Sequence, residues 1–299
     1  MLMFEKIFVE ITNYCGLDCS FCTPQKGNAI MPLEAFETLA LKISPHTKLV
    51  ALHLLGDPLS LPNLQDYLQI AQKSNLKLEI TTSGFYLAKQ IPLLLETPCI
   101  HQINISLASL LYQTKKLKNP SNAAFLPKDC ENLEEYLDNI FKLCHLHQQT
   151  KSEKFINLRL WNLNPDFSMP KQNQALLDRL TQYFHTPINP PKTRLAYKIH
   201  LLMQPFFSWV NLKSPLIWQP YFCYGASKQL GILCQGEVVP CCFDTQGVIR
   251  LGNIFSNSLE EILSNPRTKA LLQGFKNHQY TEELCRHCTY PAFMNKIST

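Results

Sequence analysis

The first two thirds of the chain alternate between two spacings of apolar residues. In short runs every second position or more is apolar, and β-branched residues are frequent, which is typical of strands. Six such runs are KIFVEIT at 6–12, KLVALHLLG at 48–56, LKLEITTSG at 76–84, QINISLAS at 102–109, FINLRLWN at 155–162 and LAYKIHLLM at 195–203. Between them, stretches such as PLEAFETLALKI at 32–43 place apolar residues three or four apart and predict helices.

This alternation predicts an α/β fold with a parallel sheet, either open or partly closed into a barrel. In such folds the chemistry gathers at the carboxyl ends of the strands. Beyond about residue 204 the pattern changes to short strands, turns and cysteines. We therefore expect two domains, a large one over residues 1–204 and a small α+β domain over residues 205–299.

Composition and charge limit the function classes. The chain has 299 residues, of which 45% are hydrophobic, and none of its apolar runs approaches the roughly 18 residues of a membrane helix. The start, MLMFEKIFVEI, resembles a first strand more than a signal peptide, so we expect a cytoplasmic protein. The formal net charge is +5, and the dense basic cluster TKKLK at 114–118 is expected to be a solvated loop. Nucleic acid and membrane are therefore not expected partners.

Twelve cysteines are many for a cytosolic chain, where metal ligation or redox chemistry is more common than disulfides. Cys99, Cys130 and Cys144 stand alone, and we expect them to be small buried hydrophobes. The others form two groups, with Cys15, Cys19 and Cys22 in the first, and Cys223, Cys234, Cys241, Cys242, Cys285 and Cys288 in the second.

The first cysteine group, NYCGLDCSFC at 13–22, directly follows the first strand-like run. Its three thiolates could bind one metal centre. Three cysteines on a [4Fe–4S] cluster leave one iron open to an outside ligand, whereas structural zinc normally takes a fourth protein ligand. The next residues, TPQKGNAI, contain no cysteine or histidine. The missing fourth protein ligand therefore indicates a functional metal site rather than a structural one.

This segment resembles the signature loop of the radical S-adenosylmethionine (radical SAM) superfamily, including Phe21 before the last cysteine. The resemblance implies a partial (β/α)6 TIM-like barrel. It also implies that Cys15, Cys19 and Cys22 hold a [4Fe–4S] cluster whose open iron binds S-adenosylmethionine. Reductive cleavage would then give a 5′-deoxyadenosyl radical, which takes hydrogen from a substrate carbon.

Further segments extend the resemblance to the S-adenosylmethionine contacts. HLLGDPL at 53–59 is similar to the family's G-G-E-P segment, although Leu55 replaces the first glycine and Asp57 replaces the glutamate. TTSG at 81–84 is similar to T-T-N-G. Arg159 could pair with the carboxylate as a bidentate fork, or could form a structural ion pair. The implied contacts are Phe21, Gly56, Asp57, Thr82, Ser83, Ser106, Arg159 and Asn162.

The second cysteine group resembles the SPASM pattern that follows many radical SAM barrels. Cys223, Gly236 and Cys241 fit C-x12-G-x4-C, and the chain then reaches Cys285-Arg-His-Cys288, after which the tail TYPAFMNKIST contains no further cysteine. The resemblance therefore implies the shortened "twitch" version, with one auxiliary [4Fe–4S] cluster on Cys223, Cys241, Cys285 and Cys288. Cys234 and Cys242 are expected to be packing residues, since neighbouring side chains of an extended segment point apart. We expect His287 to be solvated, and a zinc knuckle is the alternative for this group.

The sequence thus favours a radical SAM enzyme that oxidises or rearranges a small molecule, with the auxiliary cluster in electron transfer. Modification of a peptide or protein is the second hypothesis. A hypothesis of another class is a structural zinc-binding interaction module that uses both cysteine groups. The resemblance also implies a reducing partner such as flavodoxin or ferredoxin.

Overall fold

A computed structural model describes residues 3–22, 27–112, 124–206, 209–217 and 221–292. The basic cluster at 114–118 lies outside these described residues. The strands are β1 Lys6–Val9, β2 Leu49–Leu52, β3 Lys77–Thr82, β4 Ile100–Ser106, β5 Phe155–Leu163, β6 Lys192–Ala196, β7 Ile199–Pro205, β8 Gln229–Ile232, β9 Glu237–Val239 and β10 Gly252–Asn253. The helices are α1 Leu33–Ile43, α2 Leu64–Lys73, α3 Ile91–Glu96, α4 Ala108–Leu111, α5 Leu133–Gln149, α6 Gln174–Phe184, α7 Leu259–Ser264, α8 Pro266–Lys276 and α9 Glu283–Arg286.

The strands form one sheet of order β10-β9-β8-β1-β2-β3-β4-β5-β7-β6. All neighbours from β8 through β1 to β5 and β7 pair in parallel. The six strands expected from the sequence are β1, β2, β3, β4, β5 and β7, so the α/β prediction is confirmed. In the described part of the chain the two edge strands, β6 and β10, do not pair with each other, which leaves the barrel partial.

The two faces of this sheet differ in chemistry. Alternate residues such as Ile7, Val50 and Ile103 join the main apolar core, to which helices α1, α2 and α5 contribute buried side chains. The inner face carries polar groups instead. On β4 and β5, Asn104 Oδ1 accepts hydrogen bonds from Gln102 and Asn157, and Asn104 Nδ2 donates to Thr81 on β3. Beside this network, Lys6 on β1 pairs with Glu79 on β3 at 2.6 Å.

The last strand of the alternation is part of a hairpin, which the sequence analysis did not separate. Lys192–Ala196 forms β6, which runs antiparallel to β7. Tyr197 and Lys198 make the tight turn between them, and Lys198 has a left-handed backbone with φ +53°. Thr193 and Leu195 are buried on alternate positions of β6, so the segment is a strand in spite of its proline-rich start.

The C-terminal region continues the same sheet. β8 pairs in parallel with β1, from Lys6–Gln229 to Val9–Ile232, and β9 and β10 extend that edge. The turn between β8 and β9 needs Gly236, which has φ +86° and whose added Cβ would lie 2.4 Å from the Phe255 ring. A domain boundary at residue 204 stays a prediction, because the sheet crosses it without interruption.

Two smaller expectations concern burial and membranes. Cys99, Cys130 and Cys144 are buried, as predicted. Across the described residues, the helices are too short or too polar to span a bilayer.

Candidate active site

The first cysteine group lies in the loop between β1 and α1, at the carboxyl edge of the sheet. Cys19 is buried, whereas Cys15 and Cys22 are half-buried. Tyr86, which follows β3, donates to the main-chain oxygen of Cys15 at 2.9 Å. Gly16 has φ +66°, and an added Cβ would lie 2.4 Å from Tyr86 Oη, so only glycine allows this approach. The loop is therefore held in place by the strand ends beneath it.

The loop after β2 packs directly on the cysteine loop. Asp57 N donates to Tyr14 O at 2.8 Å. Gly56 has φ +64°, and an added Cβ would lie 2.2 Å from Thr12 O, so the two backbones touch at this point. These contacts require glycine for reasons of both conformation and space.

The Asp57 carboxylate joins this second loop to β3. It accepts hydrogen bonds from Thr82 Oγ1 at 2.9 Å, from Ser83 N at 2.8 Å and from Ser83 Oγ at 2.6 Å. Its other oxygen accepts from Leu59 N at 3.0 Å. The side chain is fully buried, and desolvation raises its pKa although the hydrogen bonds favour the ionised form. Asp57 thus ties the loop after β2 to the end of β3.

Four cysteines of the second group line one cavity. Its lining includes the four cysteines predicted as auxiliary ligands, together with apolar side chains; the lining cysteines are Cys223, Cys241, Cys285 and Cys288. Cys242 does not line it and packs instead beside Phe8 and Leu54 in a small apolar cluster. Cys234 lies elsewhere, near Glu10 and Ala29. Cys241 and Cys242 therefore point apart, which supports Cys241 as the ligand.

The donor set of this cavity fits an iron–sulfur cluster. Within the described ranges, no three His, Cys, Asp or Glu side chains are grouped closely enough to hold a single metal ion. A cubane is bulkier than one ion, so its four thiolates must stand further apart. The apolar lining raises the pKa of Cys288 to about 11, because burial disfavours the thiolate. Loading with metal would accordingly release protons.

The prediction that His287 is solvated is wrong. Its side chain is buried, and Nδ1 hydrogen-bonds the main-chain oxygen of Ser214. The short α9 turns its C-terminal end into the protein, so the residue between the two cysteines faces another segment rather than water. His287 does not line the cavity of the four cysteines.

A larger cavity of about 570 Å³ lies between the two cysteine groups. Ser20, Phe21 and Cys22 line one side, and residues 243–246 line the other. Phe21 forms edge-to-face contacts with Tyr112 and Phe206, at centroid distances of 5.7 and 6.1 Å, so one wall is aromatic. Such a volume suits a small organic molecule.

Two family models match the segments that contain the cysteine groups. The model of the radical SAM superfamily matches residues 9–150, and the model of SPASM, an iron–sulfur cluster-binding domain, matches residues 223–289. The chain is a radical SAM enzyme. Its cofactors are [4Fe–4S] clusters and S-adenosylmethionine, as these families imply. No curated protein sequence matches it.

Solved structures share the fold of this radical SAM enzyme. BtrN in complex with AdoMet and 2-DOIA aligns with a TM-score of 0.60 and 16% identity over 96% of this chain and 94% of BtrN. SuiB of Streptococcus suis bound to the precursor peptide SuiA aligns with a TM-score of 0.57 and 14% identity, over 100% of this chain and 74% of SuiB. Native anSMEcpe with bound AdoMet and the Cp18Cys peptide aligns with a TM-score of 0.52 and 15% identity, over 97% of this chain and 88% of anSMEcpe. These likenesses show the fold.

The residues predicted to contact S-adenosylmethionine fall into two sets in this radical SAM enzyme. Phe21 lies in the cysteine loop and Gly56 in the adjoining loop, and Ser106, the last residue of β4, lies opposite Arg159 in the middle of β5. Asp57, Thr82, Ser83 and Asn162 are enclosed. Thr82 and Ser83 bond Asp57 as described, and Asn162 exchanges two amide hydrogen bonds with Asn173. Asp57, Thr82 and Ser83 therefore tie the loop after β2 to the end of β3, whereas Asn162 bonds the segment before α6.

Two polar residues of the inner face were missed by sequence reasoning. Glu10 follows β1, is buried, and accepts a hydrogen bond from Leu55 N at 3.1 Å; Cys234 N also approaches it, at 3.5 Å. It therefore joins the loop before Gly56 to the SPASM region. His53 follows β2, and its Nδ1 is buried without a partner among the described residues. Both residues alternate with apolar neighbours in strand-like runs, which was the available signal.

Proposed function

We propose that this radical SAM enzyme oxidises or rearranges a small molecule bound in the cavity between the two cysteine groups. The observation that carries the proposal is the position of that cavity. Cys22 lines it on one side, and Phe243 and Asp244, which also line the auxiliary cysteine site, lie on the other. A substrate there would be within reach of both centres.

The proposed ligands are Cys15, Cys19 and Cys22 for the first [4Fe–4S] cluster and Cys223, Cys241, Cys285 and Cys288 for the auxiliary one. When bound, the clusters supply the electron that cleaves S-adenosylmethionine to a 5′-deoxyadenosyl radical and a site that accepts an electron from the substrate. A reducing partner such as flavodoxin or ferredoxin completes the scheme.

The protein's own contribution is to position and to shield. Gly56 and Tyr86 hold the cysteine loop against the strand ends. Phe21, which contacts Tyr112 and Phe206, would place an aromatic surface beside the bound substrate. Phe21, Gly56 and Ser106 remain the proposed contacts for S-adenosylmethionine.

The test is iron and sulfide content with an absorbance spectrum, on protein reconstituted without oxygen. We expect about eight irons in the wild type and about four in Cys15→Ala/Cys19→Ala/Cys22→Ala, which should release no 5′-deoxyadenosine with dithionite and S-adenosylmethionine. Zinc in place of iron would overturn the proposal and return the structural zinc module to consideration.

The auxiliary site needs its own variants. Cys285→Ala/Cys288→Ala should lose about four irons, retain cleavage of S-adenosylmethionine and lose turnover of substrate. Cys144→Ala is the matched control, because Cys144 is buried in the helix-side core. Normal turnover by Cys285→Ala/Cys288→Ala would show that the auxiliary cluster has a structural role only. Labelled S-adenosylmethionine with candidate small molecules and peptides would separate the small-molecule hypothesis from peptide modification.

A further inference from the structure

Tyr136, at the start of α5, reaches the carboxyl ends of two neighbouring strands. Its side chain is fully buried, and its hydroxyl donates to the main-chain oxygen of Ser83, just beyond β3, at 2.8 Å. The same hydroxyl lies 3.3 Å from the main-chain oxygen of Ser106, the last residue of β4. The fit is close, because a Cβ added to Gly84 would lie 2.8 Å from Tyr136 Oη.

This hydroxyl takes the place of a rung in the sheet. The pairing of β3 with β4 ends where Thr82 lies opposite Ile105, so Ser83 and Ser106 are the next two residues in that register. One shared proton of Tyr136 links their carbonyl oxygens where the strand ladder has stopped. Desolvation raises the pKa of Tyr136 well above its ordinary value, so the hydroxyl keeps the proton that it donates.

Ser83 continues this link to the loop after β2. Its N and Oγ donate to the Asp57 carboxylate at 2.8 and 2.6 Å, while its main-chain oxygen accepts from Tyr136. A chain of hydrogen bonds therefore runs from the residue after Gly56, through Ser83 and Tyr136, to Ser106. Since Gly56 and Ser106 are two of the proposed contacts of S-adenosylmethionine, this chain fixes their separation.

The side chain of Ser106 is left available for a ligand. Ser106 is half-buried, and the two-residue alternation of β4 places it on the same inner face as Asn104. Within the described ranges its Oγ takes part in no hydrogen bond, whereas its main-chain oxygen is held by Tyr136. The strand end is thus fixed while the hydroxyl group on it stays free.

We propose that Tyr136 is a positioning residue for S-adenosylmethionine and acts through Ser106. The inference rests on the proposed function, in which Ser106 contacts this cofactor. The ring of Tyr136 belongs to the apolar core, and its hydroxyl is occupied by the two carbonyl groups, so it influences the cofactor only through them. A strand end that is already ordered leaves less ordering for the binding step, which therefore becomes tighter.

The experiment measures the dissociation constant of S-adenosylmethionine by equilibrium dialysis, on holoenzyme reconstituted without oxygen. Tyr136→Phe removes only the hydroxyl, and we expect the constant to rise about fivefold, the order of one hydrogen bond. Tyr183→Phe is the matched control, because Tyr183 on α6 also donates to a main-chain oxygen, that of Phe141 on α5, at 3.1 Å. This control should change the constant by less than about twofold.

A double-mutant cycle tests the route through Ser106. Ser106→Ala should itself weaken the binding of S-adenosylmethionine. Adding Tyr136→Phe to Ser106→Ala should then raise the dissociation constant by less than about twofold further, because the positioned group is already gone. Two effects that multiply in full would show that Tyr136 acts independently of Ser106, and the proposal would be wrong.

Folding and cluster content are measured on the same samples. Phenylalanine fills the space of the tyrosine ring, so Tyr136→Phe should fold. It should also keep the iron of the first site, whose loop is held by Tyr86 instead. The melting temperature records the structural cost of the lost hydrogen bond separately from the dissociation constant. Loss of that iron would assign the hydroxyl to the fold of the cysteine loop and would overturn the proposal.

Two further results would contradict the positioning role. An unchanged dissociation constant in Tyr136→Phe would leave the hydroxyl a structural role only, and an equal rise in Tyr183→Phe would reveal a general effect of lost stability. Either result is distinct from failure of the proposed function, which would appear in the wild type as zinc content or as absent cleavage of S-adenosylmethionine.

Discussion

Asp57 shows how a single side chain can fix the position of a functional loop. Its carboxylate accepts four hydrogen bonds, three of them from Thr82 and Ser83, which lie at and just beyond the end of β3. An ionised carboxylate can accept from all these donors, whereas an amide would direct an NH₂ group at some of them. The negative charge is therefore needed for the arrangement, even though burial opposes it.

We predict that Asp57→Asn lowers the free energy of unfolding by about 3 kcal/mol, because buried donors lose their acceptor. It should also weaken S-adenosylmethionine binding, since the loop carrying Gly56 would no longer be tied to β3. Asp66→Asn, on the exposed side of α2, is the control and should change stability by less than about 0.5 kcal/mol. Urea unfolding and equilibrium dialysis measure the two effects. Equal stability of the two variants would contradict this role.

Glu10 gives a prediction of pH dependence. Desolvation raises its pKa above the ordinary 4.5, so the folded state keeps a proton that the unfolded chain has already released. Between 4.5 and the raised pKa, the folded state binds more protons, and stability falls as the pH rises.

Glu10→Gln removes this titration. The stability of the wild type relative to Glu10→Gln should therefore fall as the pH is raised from about 4.5 towards 7. Urea unfolding of iron-free protein at a series of pH values measures the difference. A difference that stays constant or grows with pH would contradict the raised pKa.

Single residues of the site were only partly predictable from the sequence. The cysteines follow from spacing, because a cluster needs thiolates at defined separations. Arg159 and Asn162 were predicted together, yet they lie an odd number of positions apart on β5 and so face opposite sides of the sheet. Asn162 bonds Asn173 on the helix side. His53 could not be singled out, since the absence of a partner depends on contacts between distant segments.

At the scale of elements, the site depends on backbones that touch. The loop after β2 meets the cysteine loop at Gly56, where the shortest distance from an added Cβ is 2.2 Å to a backbone oxygen. Backbone cannot be displaced as a flexible side chain can. The geometry of the first cysteine group is therefore coupled to this glycine.

We predict that Gly56→Ala destabilises the protein well beyond Gly247→Ala. Both glycines have φ +64°, so both variants bear the left-handed strain of about 1–2 kcal/mol. At Gly247 the nearest atom is a Leu233 methyl carbon at 3.2 Å, which has more freedom to move. Gly56→Ala should also lose iron from the first site, as measured by iron content after reconstitution. Equal melting temperatures for the two variants would show that the backbone contact does not matter.

The helices and central strands were predictable because their apolar spacing follows the 3.6 and 2 residue periods directly. α1, for example, buries Phe36, Leu39, Ala40 and Ile43 on one stripe. β6 was missed because the prolines before it masked a five-residue alternation. Pairing partners are not encoded in any local period, so the contact of β8 with β1 appeared only in the structure.

At the scale of the whole molecule, the C-terminal region completes the edge of the barrel sheet. A chain ending at residue 222 would leave β1 without β8, exposing a row of unpaired backbone groups. We predict that this truncated chain aggregates, whereas the full chain stays monodisperse in size-exclusion chromatography. A soluble, monodisperse 1–222 chain would contradict the dependence of the barrel on β8.

The same pairing has a consequence for the order of events during synthesis. β1 and the cysteine loop leave the ribosome first, but β1 gains its edge partner only when residues 229–232 emerge. At about 5–20 residues per second, that interval is on the order of ten to forty seconds. During this interval β1 lacks its partner β8, and the cysteines of the first group next to it are accessible to oxidants and to metal ions. The nascent chain therefore has a window in which a chaperone or an iron–sulfur carrier can act before the sheet closes over its first strand.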